Sequence, residues 1–370
     1  MYFIRFFTCW FVLAVCVSAA EPCKPWTNLF DRTEIWLGAD GIFSIPLDGN
    51  DALASADMST RTLFVFSDTF VGSADPETHR YKDARMINHS AAILTGNEPK
   101  NENIRFIYGR DGDMSRSNLF GVNCWLQDGI VIDRSVYLTA LRTGKDWKPV
   151  GIDLVRIPLT ETGEPDWPKF HRIEDFPILV RNETAQVCFG IGILDRDSAE
   201  GFVYIYGYRD DLKTHRKSLV AARVEKKSFN DAQAWQFWSG SDWTPDIRST
   251  LDFTASLVDR VSCELSVTPL PDGRFLLVYT RDVMSPIVEC RLGDSPVGRF
   301  GEPIRIYEAP EPERLGPGIY CYNAKAHPHL SRPGKLLISY NVNRLGGLPH
   351  RTDEYRPRFI ELDLNRFKKK

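Results

Sequence analysis

The chain has 370 residues, 43% hydrophobic and 26% charged, with a net charge of only −3. That balance excludes a disordered chain and a polyanion-binding surface of the kind nucleic-acid proteins carry. Nine Trp, thirteen Tyr and twenty-two Phe suit β-sheet packing, and they also suit stacking against sugar rings.

The first twenty residues carry one Arg and an apolar run from Phe6 to Val17, then Ser18-Ala19-Ala20 before Glu21. This reads as a signal peptide over 1–20, too short for a convincing membrane span, and places the protein in a secreted or periplasmic setting. Residues 21–370 read as one domain. Once the leader is removed, Cys23, Cys124, Cys188, Cys263, Cys290 and Cys321 remain, enough for up to three disulfides or for a set of buried thiols. Neither CxxC nor Cys/His metal spacing occurs, and no oxygen-ligand loop is recognisable, so no cofactor is expected, although the architecture leaves room for a channel calcium.

Beyond the leader, one phrase recurs. The first copy runs Gly41–Leu47, Leu63–Phe70 and Asn88–Leu94; the second Cys124–Ile132, Ser135–Ala140 and Asp153–Leu159. The third is Gly190–Leu194, Gly201–Gly207 and Ser218–Val224; the fourth Cys263–Thr268, Asp272–Thr280 and Ile287–Leu292; the fifth Tyr322–Pro328, Lys335–Tyr340 and Arg358–Leu362. Each is a set of apolar strands with turn residues between them, at a spacing of roughly 60–70 residues. One small sheet cannot bury both its faces alone, whereas a closed ring lets each sheet cover the next. The pattern predicts an all-β, five-bladed β-propeller. Lys226–Phe237 has the pattern of a short helix. Segments 97–116, 161–183 and 232–257 read as face loops, the last carrying Trp235, Trp238 and Trp243 as packing residues or a sugar-stacking edge.

In such a ring the innermost strands begin near a narrow axial channel. Candidate lining residues are Asp40, Asn123 or Trp125, Cys188 or Gly190, Glu264, and Asn323, Lys325 or His327. Asp40 lies in a Gly-flanked turn before the first strand, and Asp68 closes the second, so a hairpin brings two carboxylates to one end of a sheet. Paired carboxylates serve glycoside cleavage, one as acid and one as base or nucleophile. Turn and strand-end roles are the plainer alternative. Glu264 on an otherwise apolar strand requires a cation, a proton or a function. Lys325 and His327, two apart, are expected on one face, where they hold a carboxylate charged or bind a substrate oxygen.

Trp36-Leu37-Gly38-Ala39-Asp40-Gly41, Phe66-Ser67-Asp68-Thr69-Phe70-Val71-Gly72 and Met86-Ile87-Asn88-His89-Ser90 together resemble a secreted five-bladed propeller group carrying a domain of unknown function. That group is similar to the endo-D-arabinanase family and, more distantly, to glycoside hydrolase family 43. The resemblance implies an acidic pair in the first blade, matching Asp40 and Asp68, and a later-blade Glu across the channel, matching Glu264. Two departures stand out: Gly-Ala-Asp-Gly in the first motif, and Gly190 and Gly192 where a further Asp is expected. The expectation is a monomeric secreted hydrolase of a furanose-type or related polysaccharide. Asp40 would be base or nucleophile, Glu264 acid and Asp68 the tuning group, with Asn88, Trp125, Asn323, Lys325 and His327 contacting substrate. The alternatives are a propeller that binds carbohydrate or protein without cleaving it, and a lyase using Lys325, His327 or a Tyr as base.

Overall fold

Apolar runs bounded by turn residues become strands buried on both faces. In Arg61–Phe66, Phe202–Asp211 and Phe275–Thr280 most side chains are inaccessible to solvent, as a sheet covered on two sides requires. The computed structural model describes residues 19–53, 61–109, 119–120, 123–144, 147–195 and 201–368. The predicted leader thus falls almost entirely outside the described residues.

The chain is all-β, and each repeated phrase forms its own antiparallel sheet. The first joins Phe43–Pro46, Arg61–Phe66, Ser90–Thr95 and Ile104–Ile107 in that order. The second joins Cys124–Ile132, Ser135–Thr143, Pro149–Pro158 and His171–Ile173, and the fourth Leu265–Pro269, Phe275–Thr280, Ile287–Gly293 and Ile304–Glu308. The third is built on Ala185–Asp195, Phe202–Asp211 and Lys217–Glu225, extended by shorter strands at both edges. The fifth joins Ile319–Ala326, Lys335–Arg344 and Arg358–Asp363 and takes Ala20–Pro22 as its outer strand.

The leading strands Phe43–Pro46, Cys124–Ile132, Ala185–Asp195, Leu265–Pro269 and Ile319–Ala326 contact one another in chain order. The last returns to the first through Ser44 Oγ and His327 Nδ1, 2.7 Å apart, and through Lys325 Nζ, 4.4 Å from the Phe43 ring centre. Side chains of Trp26, Phe30, Trp36, Phe64, Phe66 and Phe359 form one aromatic cluster between the first and fifth sheets. It anchors the residues immediately before Asp40 and Asp68.

A sixth sheet of Glu34–Ala39, Thr69–Ala74 and Tyr81–Ile87 continues the first sheet beyond a shared interruption. Its strand Glu34–Ala39 runs so close to segment 352–356 that a methyl group on Gly38 would lie 1.8 Å from the Tyr355 carbonyl oxygen. Backbone on both sides leaves no room to relax. Gly38→Ala is therefore expected to lower the stability measured by chemical denaturation by about 1–3 kcal/mol, through overpacking.

One expectation is corrected, and of the two readings of the cysteines the buried-thiol one holds. Lys226–Phe237 is not a helix: single 3₁₀ turns at Lys226–Ser228 and Ala232–Ala234 lead into the strand Gln236–Trp238, because Trp235 is buried against Phe229 and Phe176 rather than set on a helix face. The six cysteines considered for disulfides are all free thiols, five of them buried. Trp238 and Trp243 pack edge to face on each other, so the Trp-rich loop is a packing element.

Candidate active site

Three neighbouring strands of the first sheet break at one level. Register pairs Ala39–Thr69–Ile87 lie on one side of the break, and Phe66–Ser90 and Phe43–Val65 on the other. Asp40, Asp68 and Asn88 lie in the gap, together with Gly41, Ile42, Ser67 and His89. The backbone stays tied across it, since the Asp40 N–H donates to the Asp68 carbonyl at 3.3 Å and the Ser67 N–H to the Asp40 carbonyl at 2.9 Å. Two carboxylates are thereby held on adjacent strands.

Their partners come from distant segments. The Tyr322 hydroxyl donates to Asp40 Oδ2 at 2.7 Å, while Asp40 Oδ1 is buried with no hydrogen-bond partner. Asn88 Nδ2 donates to Asp68 Oδ1 at 3.1 Å, and the Tyr355 hydroxyl to the Asp68 carbonyl at 3.1 Å. Asp40, Asp68 and Glu264 each retain some accessible surface, so the site is enclosed but open at one side.

Enclosure sets the proton affinities. Burial, and then the neighbouring Asp68 charge, push Asp40 up to about 8, against the hydrogen bond from Tyr322. Burial pushes Asp68 up to about 6, against Trp125 and Asn88. Glu264 is also raised by burial, with Lys325 and Asn323 pulling it down. Two interacting carboxylates titrate as a pair, so near neutrality Asp40–Asp68 holds one proton between them.

Opposite them, Glu264 precedes the strand Leu265–Pro269, and its Oε2 lies 2.5 Å from Lys325 Nζ. Lys325 is only 2% exposed. Asn323 sits at a left-handed position, φ 56°, within the register shift of Ile319–Ala326, which turns its amide toward Glu264. The predicted residues Asp40, Asp68, Glu264, Asn88, Trp125, Asn323 and Lys325 are thus gathered around one enclosure.

His327 stands apart. The register Lys325–Ser339, Ala326–Ile338 continues to His327, whose N–H donates to the Leu337 carbonyl at 2.8 Å, so His327 keeps the Lys325 face but has no access to solvent. Its ring is fully buried, with Nδ1 against Ser44 Oγ at 2.7 Å and Nε2 against Ser339 Oγ at 2.8 Å, and burial holds it neutral. It is a packed histidine with both nitrogens engaged. Asp51, His329 and Thr62 line up like a catalytic relay, at 2.7 and 3.1 Å, but Thr62 is wholly inaccessible and meets no substrate.

The third sheet leaves its place empty of acids for a steric reason. Gly190 has φ +102°, and a methyl group there would lie 2.5 Å from Thr139 Oγ1, which itself donates to the Gly190 carbonyl at 2.9 Å. Sequence reasoning missed Tyr322, Tyr355 and Asp128. Tyr322 adjoins a residue already singled out, whereas Tyr355 lies in a segment without periodicity. Asp128 occupies the register shift of Cys124–Ile132, accepts from the Ile193 and Gly129 N–H groups, and is pushed up to about 7 by burial. As for a channel cation, no group of three or more His, Cys, Asp or Glu that could hold a metal occurs among the described residues.

The fold is shared with known structures. A Bacteroides ovatus protein described provisionally as a hydrolase superposes with a TM-score of 0.72 at 19% identity, covering 92% of this chain and 89% of its own. More distant are an endo-arabinase of Bacteroides thetaiotaomicron (TM-score 0.45, 12% identity, 90% and 97% covered) and a GH43_1 enzyme of Xanthomonas citri (0.46, 13%, 94% and 91%). A search of curated proteins returned no match. A family model matches residues 24–364, and on that span the chain belongs to DUF5005, a domain of unknown function.

Proposed function

We propose that the five sheets are the blades of a five-bladed β-propeller and that the protein is a secreted glycoside hydrolase acting on a furanose-type or related polysaccharide. The observation that carries the reading is the Asp40–Asp68 pair, two carboxylates on adjacent strands whose proton affinities are driven apart by their surroundings. Such a pair supplies an acid and a base at the same pH.

In this reading Asp40 is the proton donor to the glycosidic oxygen, its carboxyl held protonated by burial and by the neighbouring Asp68 charge. Asp68, ionised and oriented by Asn88, acts as base on a water or as nucleophile. Glu264 is taken up by the Lys325 ammonium and shapes the field of the site rather than donating the proton. Relative to the sequence expectation, the acid role passes from Glu264 to Asp40, the base or nucleophile role from Asp40 to Asp68, and the tuning role from Asp68 to Glu264. The non-catalytic, carbohydrate-binding reading draws on Gly190, where packing against Thr139 removes the position for a further acid.

The pH profile tests the assignment. Turnover requires Asp68 ionised and Asp40 protonated, so activity should rise with pH through about 6 and fall through about 8. A rate that stays level from pH 5 to 9 contradicts it.

A further inference from the structure

Trp147 is an exposed aromatic residue that no packing requirement explains. It lies in the hairpin between Ser135–Thr143 and Pro149–Pro158 and is 59% exposed, with φ +62°. Such left-handed turn positions are usually given to Gly, Asn or Asp, and a bulky residue there is strained. The Trp147 N–H donates to the Gly144 carbonyl at 3.1 Å and the Gly144 N–H to the Lys148 carbonyl at 2.9 Å, which ties Trp147 to the end of the preceding strand. One ring face is covered: Trp147 lies parallel to Trp125, 5° between planes and 6.1 Å between centres. Trp125 in turn turns its indole N–H toward Asp68. The two indoles make a step leading from solvent to the carboxylate pair.

A flat aromatic surface with one face covered and the rest of the ring exposed suits the C–H face of a sugar ring, amphipathic ligands being what Trp meets best. The charge of the enclosure narrows the ligand further. With one proton on the Asp40–Asp68 pair, that pair and Glu264 carry two negative charges against the Lys325 ammonium, so a chain bearing carboxylates meets repulsion there.

We propose that Trp147, stacked on Trp125, is a sugar-binding subsite adjoining Asp68 that takes one ring of an uncharged glycan chain. The proposal rests on the glycosidase reading of the same site. Its experiment uses arabinohexaose, xylohexaose and galactohexaose as neutral probes and hexagalacturonate as the acidic one. Affinity is measured by calorimetry and cleavage by product analysis, for wild type, Trp147→Ala, Trp147→Phe and Asp40→Asn.

At least one neutral hexasaccharide should bind and hexagalacturonate should not. Trp147→Ala should weaken that binding about tenfold, or raise KM by the same factor with kcat little changed, whereas Trp147→Phe should stay within about threefold. Because Trp147 is exposed, thermal melts should be unchanged, separating lost stacking from lost structure. Undiminished binding by Trp147→Ala overturns the subsite and leaves the carboxylate assignment standing. Undiminished cleavage by Asp40→Asn overturns that assignment while an affinity loss in Trp147→Ala upholds the subsite. Wild-type protein that binds none of the neutral probes, or prefers the uronate, overturns the subsite as proposed.

Discussion

Asp40→Asn and Asp68→Asn are each expected to lower kcat on an accepted glycan by about 10²–10⁴-fold, the usual worth of a positioned acid or base. The two losses should not multiply, because each variant already disables the pair that acts as a unit. Asp40→Asn carries a second signature. The native Asp40 keeps its proton up to about 8, whereas in the unfolded chain it releases it near the ordinary aspartate value of about 3.9. Between those values the folded state binds the additional proton, so this group makes stability fall as pH rises. Removing the ionisable group lifts that penalty. The Tm of Asp40→Asn should therefore exceed that of wild type by a margin that grows from pH 4 to pH 8. A variant that loses turnover and gains heat resistance is what a carboxyl buried for chemistry produces; a merely structural Asp would lose both. Thermal melts at three pH values read the difference.

Lys325→Met is expected to destabilise the fold by about 3–5 kcal/mol, the cost of leaving one member of a buried ion pair without the other. Lys325 is almost completely inaccessible, and Glu264 Oε2 is 2.5 Å from its ammonium. Without that cation, Glu264 takes up a proton or remains as an unpaired buried charge, and either state is costly. The double variant Glu264→Gln/Lys325→Met should recover most of the loss, since an amide and a thioether place no net charge in the enclosure. Denaturant midpoints of the two single variants and the double variant form a cycle that isolates the pair. If Lys325→Met were as stable as wild type, Lys325 would have no part in holding Glu264.

Much of this architecture was legible because sheets covered on both faces leave continuous apolar runs. Leu63 to Phe66, Phe202 to Gly207 and Phe275 to Tyr279 carry that signal directly, and the strands fall where it places them. The interruption that builds the site is nearly silent by comparison. Ser67 and Asp68 sit between two apolar stretches, so Leu63–Phe70 reads as one strand, whereas the chain forms Arg61–Phe66 in one sheet and Thr69–Ala74 in another. Across the break the chain is held by a pair of backbone bonds between Asp40 and segment 67–68, long-range pairings that local composition does not encode. Asp40 stood out through its flanking glycines, and Asp68 and Asn88 through their place at strand ends.

Tyr355 carried no such mark, for it reaches Asp68 from an irregular segment 287 residues further along the chain. His327 failed in the opposite sense: two-residue spacing gives it the Lys325 face, but packing between Ser44 and Ser339 closes it off from substrate. Pairing of the cysteines depends on distances that sequence does not hold.

The central claim, that the Asp40–Asp68 pair cleaves glycosidic bonds, is tested most directly by reducing-end release. Wild-type protein and Asp40→Asn would be incubated with a panel of arabinans, xylans and galactans at pH 7. The account predicts new reducing ends from at least one polysaccharide with wild type, and about 10²–10⁴-fold less with the variant. Binding without release by wild type, or equal release by both proteins, would contradict it.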